Sequence, residues 1–417
     1  MKFKTQATDL AKALSVASVV RPKPIDSQGS AGYLFVVQGD RCYVYSEDDH
    51  QKSRVDFPIF DVEGEGSFVY PSGNTSAFQY IDGWVELEPS EEKGNPVVKY
   101  TTEGGASTTM PTFDAQSLHS LDRDLESAKE GPAFPSVLLR EAVNLGKGYL
   151  ADSNGSRTKE YFKCFQLFDE SKETWKAGNG HLFAADGYRA FYFYSPEFEG
   201  KSLNVHTLRT ALLTSFLSKS KGDIQIRRSD RSSYLVNKDN QVVGWSDPVS
   251  EHELFSYYPH SKDSYVLRIR QGVILKALNY MRAELDAKRD KVRVQYVAEK
   301  GTLQFLASEN GKDIFSAPIS VVPLSPEDGT VDFPIRGGEK SKTEDFTCNL
   351  NLNHFIDLFA PAKNNEVELR IGIAKGSSFL IRTIDSFHMD TDGKVVVPSE
   401  GEKTYSCRVT RFISNKK

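Results

Sequence analysis

Residues 181–195 read HLFAADGYRAFYFYS, and the fold turns on how this stretch alternates. Leu182 and Phe183 end one apolar run, Asp186-Gly187 interrupts it, and a second run leaves. Ala190, Tyr192 and Tyr194 fall on one face of that second run, with Phe191 and Phe193 on the other. Asp-Gly between two alternating runs predicts a β-hairpin, because glycine takes a positive φ at little steric cost. Looser versions stand on either side: CYVYSEDDHQKSRVDFPI at 42–59 and LQFLASENGKDIFSAPIS at 303–320. In all three an apolar strand ends in a small residue, an acidic turn follows, and a second strand departs. Their spacing of roughly 130 residues marks an internal repeat.

The chain has 417 residues, which is long for one core and predicts several domains. Three are expected, over 1–130, 131–262 and 263–417. Composition is that of a globular protein, 39% hydrophobic and 26% charged. No apolar run reaches the ~18 residues that a membrane helix needs. The opening Met-Lys-Phe-Lys-Thr-Gln lacks the apolar centre of a signal peptide. Cys42, Cys164, Cys348 and Cys407 are far apart in sequence, as expected of free thiols in a cytoplasmic protein.

Each repeat reads as strand, helix, basic turn, paired strands, short helix and more strands. First helices are expected over Thr8–Val20 with Thr8 as cap, over Pro135–Leu150, and over Val273–Leu285. Second helices are expected at Asn74–Ile81, at Val205–Leu217 capped by Asn204, and at Asn353–Phe359. Residues 101–130 are polar and poorly periodic, and predict one edge strand plus a linker. Most links are too short for right-handed crossovers, so neighbouring strands should be antiparallel. The fold class is α+β, with helices on one face and antiparallel sheets on the other.

No catalytic constellation stands out, and the reading calls for no enzyme activity, metal or cofactor. The histidines lack metal-ligand spacing, and His181 reads as a strand residue. Ser46-Glu47-Asp48-Asp49 lacks the glycine and spacing of a calcium loop and reads as a turn. The glycines at 64–66 match neither phosphate-binding pattern.

The basic residues are more informative because they recur at related places. Arg21 and Lys23 follow the first helix, Arg157 and Lys159 that of the second repeat, and Lys288 and Arg289 that of the third. Lys12, Arg140, Lys147, Arg209, Lys276 and Arg282 lie on helices. In a chain of net charge −5, cations repeated at one structural position predict a shared positive surface. Such a surface holds nucleic acid by its phosphates without reading sequence.

Four stretches together resemble one family, the bacterial type of DNA polymerase sliding clamp. They are the opening MKFKTQATDLAKALSVASVVRPKP, HLFAADGYRAFYF, CNLNLNHFIDLFAPAKNNEVELRI and the closing YSCRVTRF. The resemblance implies three clamp domains and a head-to-tail homodimer that rings duplex DNA. It also implies helices lining the hole, with a polymerase and a clamp loader as partners. Arg21 matches a basic position facing DNA. Ala185, Gly187, Tyr188, Arg189 and Ala190 match one wall of the family's partner pocket, and Val409, Thr410, Arg411 and Phe412 match its C-terminal wall. The family's usual Thr, His and Leu are here Ala185, Tyr188 and Ala190, a drift that suits a phage-encoded or otherwise divergent clamp. The alternative is a clamp-fold interaction protein that recruits replication or transcription factors without encircling DNA.

Overall fold

The computed structural model describes residues 1–20, 22, 31–74, 76–112, 121–152, 160–167, 180–206, 209–229, 232–246, 263–285, 291–309, 312–320, 322–323, 340–341, 346–359, 366–373, 379–385, 388–389, 395–396 and 405–411. It groups into two compact units, Met1–Glu141 with Leu208–Pro248, and Ala142–Thr207 with Val249–Lys417.

Three hairpins and the strands beside them carry the architecture: β1 (Arg41–Glu47), β2 (Gln51–Pro58), β3 (Ser107–Pro111), β4 (His181–Ala185), β5 (Arg189–Tyr194), β6 (Val242–Ser246), β7 (Thr302–Glu309), β8 (Lys312–Ser320) and β9 (Tyr405–Arg411). The pairs β1–β2, β4–β5 and β7–β8 are antiparallel hairpins at the three places the alternation predicts. The helices are α1 (Ala7–Ala17), α2 (Leu121–Ser127), α3 (Ser136–Gly146), α4 (Thr210–Lys219), α5 (Gln271–Glu284) and α6 (Leu352–Phe359). Strands Lys2–Gln6, Lys129–Pro135 and Asp263–Arg270 each pass into α1, α3 and α5 with no intervening loop.

The first unit holds a five-stranded sheet ending in β3 and an eight-stranded sheet in which β2 pairs with β6. The register sets Arg54 opposite Val242 and Gln51 opposite Trp245. Leu10, Leu14 and Ala17, at helical spacing on α1, are buried against an aromatic layer. In that layer Phe35 lies 5.0 Å from Phe68 and 6.1 Å from Phe57 between ring centroids.

The second unit holds a ten-stranded sheet in which β5 pairs with β9, setting Ala190 opposite Val409. A four-stranded sheet ends in β8. Ile274, Leu278 and Met281 on α5 pack with Phe305, Phe355 and Phe359. The last turn of α3 lies so close to the central hairpin that a Cβ on Gly146 would stand 2.6 Å from Phe191 and 2.7 Å from Phe165. Both faces of β5 are buried, so Phe191, Tyr192 and Phe193 are all core residues.

Among the described residues every ladder is antiparallel except a two-residue pairing of Lys340–Ser341 with Asp263–Arg270. Several local expectations are corrected. Val205 and Asn204 are strand residues, because Leu203–His206 completes a ladder with Cys164–Leu167. The helix starts only at Thr210, after Arg209, and no side chain caps it. Thr8 is not a cap either, since α1 begins directly after the extended residue Gln6. The Asn74–Ile81 helix is two 3-10 turns, Ser72–Asn74 and Ala77–Tyr80, with Phe78 buried. The stretch 101–130 holds the expected edge strand, β3, and also the unexpected α2.

Candidate functional site

The central hairpin turn is built by Asp186. Its Oδ1 accepts the backbone N–H groups of Tyr188 at 2.8 Å and Arg189 at 2.7 Å. The Asp186 N–H in turn donates to the Arg189 carbonyl at 3.1 Å, and Gly187 supplies the positive φ of 95°. This closed turn pushes Tyr188 outward, 66% exposed, while Ala185 and Ala190 stay buried beneath it.

Arg189 ties the turn to two distant parts of the second unit. Its Nε donates to Asp186 Oδ2 at 2.8 Å, and its Nη1 bonds the Asp357 carboxylate on α6. Nη2 donates to the Gly148 carbonyl at 3.1 Å, just beyond α3. The guanidinium also lies over the Tyr149 ring, 5.4 Å from its centroid, and the Tyr149 hydroxyl donates to the Asp357 carbonyl at 2.9 Å. Burial works against its charge, but the Asp186 and Asp357 carboxylates outweigh that and hold its pKa above the ordinary arginine value. On the outer side of this knot Tyr188 faces His354 of α6, with ring centroids 5.8 Å apart.

Of the pocket residues read from the sequence, Ala185, Gly187, Tyr188, Arg189 and Ala190 therefore meet at one turn. Strand β9 brings Val409 and Thr410 beside them, opposite Ala190 and Arg189. Arg411 closes β9, and Phe412 lies outside the described residues. The Arg189 guanidinium is engaged within the chain, by Asp186, Asp357 and the Gly148 carbonyl. Sequence reasoning missed Tyr149, His354 and Asp357. The signal was present in α6, where His354 and Asp357 break the apolar pattern of LNHFIDLF at one-turn spacing.

The basic residues divide. Lys12, Lys147, Lys276 and Arg282 are exposed on or beside α1, α3 and α5. Lys12 pairs with Asp9 at 3.6 Å, Lys147 donates to Asn144 at 3.5 Å, and Arg282 to Asn279 at 2.9 Å. Arg140 is half-buried. Arg209 is 8% exposed, which corrects its place on a presented surface; burial lowers its pKa. Arg21, Lys23, Arg157, Lys159, Lys288 and Arg289 lie outside the described residues.

The acidic turn at 46–49 and His181 have local roles. Asp48 accepts the N–H groups of His50 and Gln51 in a turn, and His181 is buried against Tyr194 with centroids 4.8 Å apart. Cys42, Cys164 and Cys348 are buried thiols. Among the described residues no cluster of His, Cys, Asp and Glu is arranged to hold a metal ion, and no helix is long and apolar enough to cross a membrane.

No protein-family model and no curated protein matches the chain. Solved structures do match it over nearly its whole length. One is the pol III beta protein of Caulobacter crescentus, at TM-score 0.74 and 13% identity over 99% of this chain and 100% of that one. Another is the DNA polymerase III beta subunit of Thermotoga maritima, at TM-score 0.72 and 15% identity over 99% of each chain. A third is the DNA polymerase sliding clamp of Pseudomonas aeruginosa, at TM-score 0.72 and 14% identity, again over 99% of each. The α+β fold of this chain is that of the bacterial sliding clamps, as the four quoted stretches implied.

Proposed function

We propose that this chain is a non-enzymatic DNA sliding clamp, a processivity factor that joins head to tail with a second copy and encircles duplex DNA without reading its sequence. The observation that carries the reading is a pattern of strand edges. The outgoing strand of the first hairpin, β2, pairs with β6, the last described strand before 262. The outgoing strand of the second hairpin, β5, pairs with β9, the last described strand of the chain. By the same rule β8 should pair with the last strand of another repeat. Among the described residues β8 pairs only with β7, while β3 pairs on one side only, with Asn95–Thr102. An open edge is a template for a further strand. Joining β8 of one copy to β3 of the next repeats the two internal seams, and two copies supply six domains over 1–130, 131–262 and 263–417. A heterologous contact of this kind closes when its rotation divides the circle.

The helices give the hole its charge in this reading. Aligning the buried stripes of α1, α3 and α5 sets Lys12, Glu141 and Lys276 at one recurring position and Ser18, Lys147 and Arg282 at another. The cations that follow the first helices in sequence, Arg21, Lys23, Arg157, Lys159, Lys288 and Arg289, complete the proposed phosphate-facing set. Long basic side chains meet phosphates in many registers, so sliding breaks no unique contact.

The test has two parts. The mass in solution should be near twice the 46.6 kDa of one chain. An Arg21→Ala/Arg157→Ala/Arg289→Ala variant of the same mass should leave circular duplex DNA faster than the intact protein, with the difference shrinking at high salt. A single-chain mass, or equal retention at low salt, counts against the ring or the charged hole respectively.

The polymerase and clamp loader would dock by a short peptide on the step formed by Tyr188 and His354. Tyr188 is exposed, so Tyr188→Ala should leave the melting curve unchanged. It should weaken a cognate polymerase tail by roughly tenfold, as loss of an aromatic anchor does. Unchanged affinity in a titration would move the docking site elsewhere.

A further inference from the structure

Helix α2 has seven residues, too few to persist in water without support. Its support is unusual in position. Leu121 and Leu125, one turn apart, are buried at 1% and 6% exposure. They join a cluster separate from the core under α1, with Tyr45 and Val69 on one side and Tyr234 and Val242 on the other. The first pair belongs to the β1–β2 side of the eight-stranded sheet and the second to the β6 side. The helix therefore lies over the β2·β6 seam, which is only four residue pairs long.

Two aspartates flank the leucine stripe. At ~100° per residue, Asp122 and Asp124 stand about 80° to either side of the line through Leu121 and Leu125. Asp122 accepts the Tyr45 hydroxyl at 2.6 Å and Arg54 Nη1 at 2.9 Å. Asp124 accepts Lys52 Nζ at 2.6 Å. Lys52 and Arg54 are themselves seam residues of β2, opposite Gly244 and Val242. Two positions apart, they share the face of the strand away from Ser53 and Val55. Arg54 also crosses the seam, its Nη2 donating to the Asn240 carbonyl at 3.1 Å. The cationic side chains are 18% exposed and those of Asp124 and Asp122 are 32% and 35% exposed, so the pairs are half-buried yet still within reach of salt. Burial lowers the Lys52 pKa, but Asp124 and Glu47 raise it further, for a net rise. Burial and Asp122 together keep the Tyr45 hydroxyl protonated and able to donate.

We propose that α2 is a charge-clipped strap: its aspartates neutralise the two seam cations of β2, and its docking holds β2 against β6. Without the strap, Lys52 keeps Glu47 at 3.5 Å and Arg54 keeps the Asn240 carbonyl, but both cations lose their aspartates and turn toward water, and the apolar cluster beneath loses its cover. The seam is thereby made sensitive to ionic strength. The inference stands whether or not the protein encircles DNA, because it concerns one seam within one chain.

Hydrogen exchange of the full-length protein tests it, with the β5·β9 seam as internal reference. In Asp122→Asn/Asp124→Asn, amides of α2 and of residues 51–54 and 242–245 should exchange about tenfold faster, while β5 and β9 keep their protection. Faster exchange in α2 alone would make the helix a passive cover and overturn the proposal, as would no change in either. Should the variant fail to fold, the unsubstituted protein allows the same comparison of seams between about 0.05 M and about 1 M salt. Selective acceleration at the β2·β6 seam is expected, and equal behaviour of the two seams would overturn the strap.

Discussion

If two copies join through β3 as proposed, placing proline in that strand is expected to reduce the particle from two chains to one, the largest change anticipated for any single substitution in this protein. β3 runs along the end of its five-stranded sheet, with Thr108 opposite Tyr100 and Thr109 opposite Lys99. Successive N–H groups of a strand point to opposite edges. One of Thr108 and Thr109 therefore donates inward to Asn95–Thr102, and the other points its N–H to the edge that has no strand partner among the described residues. Proline removes that donor and adds a ring where the incoming strand must lie. Both side chains are exposed, so neither substitution empties the core. Of Thr108→Pro and Thr109→Pro, the variant lacking the outward N–H should keep its circular dichroism and elute at the 46.6 kDa of one chain. If both variants remain associated, β3 is not the joining edge.

Arg189→Ala is expected to cost about 2–3 kcal/mol of stability, somewhat below the loss of a fully buried ion pair, because Asp357 is half exposed. The guanidinium is 16% exposed at its side chain and serves Asp186, Asp357 and the Gly148 carbonyl together. Its removal strands the Asp186 carboxylate, 12% exposed, inside a turn that the same carboxylate builds. It also uncouples α6 from the end of α3. Arg189→Lys should recover only part of the loss, since an ammonium does not span three acceptors in a plane. Urea unfolding followed by fluorescence measures both. A midpoint for the alanine variant matching a loss under ~0.5 kcal/mol, the size of an ordinary surface change, would mean that the knot adds nothing to stability.

The two cases differ in how far they are visible in the chain itself. The hairpins at 42–59, 181–195 and 303–320 were legible because alternation and turn chemistry are local: each strand pairs with its immediate successor, and Asp186-Gly187 can adopt only a few turns. The buried stripes of α1, α3 and α5 were legible for the same reason, since burial of one face imposes a helical period on neighbouring residues. Strand ends near helices were less so. Leu203–His206 carries apolar spacing that suits either state, and the ladder offered by Cys164–Leu167 decides for strand.

Determined by the sequence alone, then, were the α+β class, the three hairpins, the helix stripes and the turn that presents Tyr188. These depend on interactions within a few residues. Tertiary structure alone decided which hairpin strand meets which distant strand, because backbone edges are chemically alike and only the assembled sheet selects among them. It decided that Arg189 is locked rather than free, since Asp357 lies 168 residues away in sequence. It decided that Arg209, read as a presented cation, is buried. And it made α2 a helix at all: seven residues with two leucines carry too little periodicity to announce themselves, and only docking over the β2·β6 seam offsets the entropy of winding them.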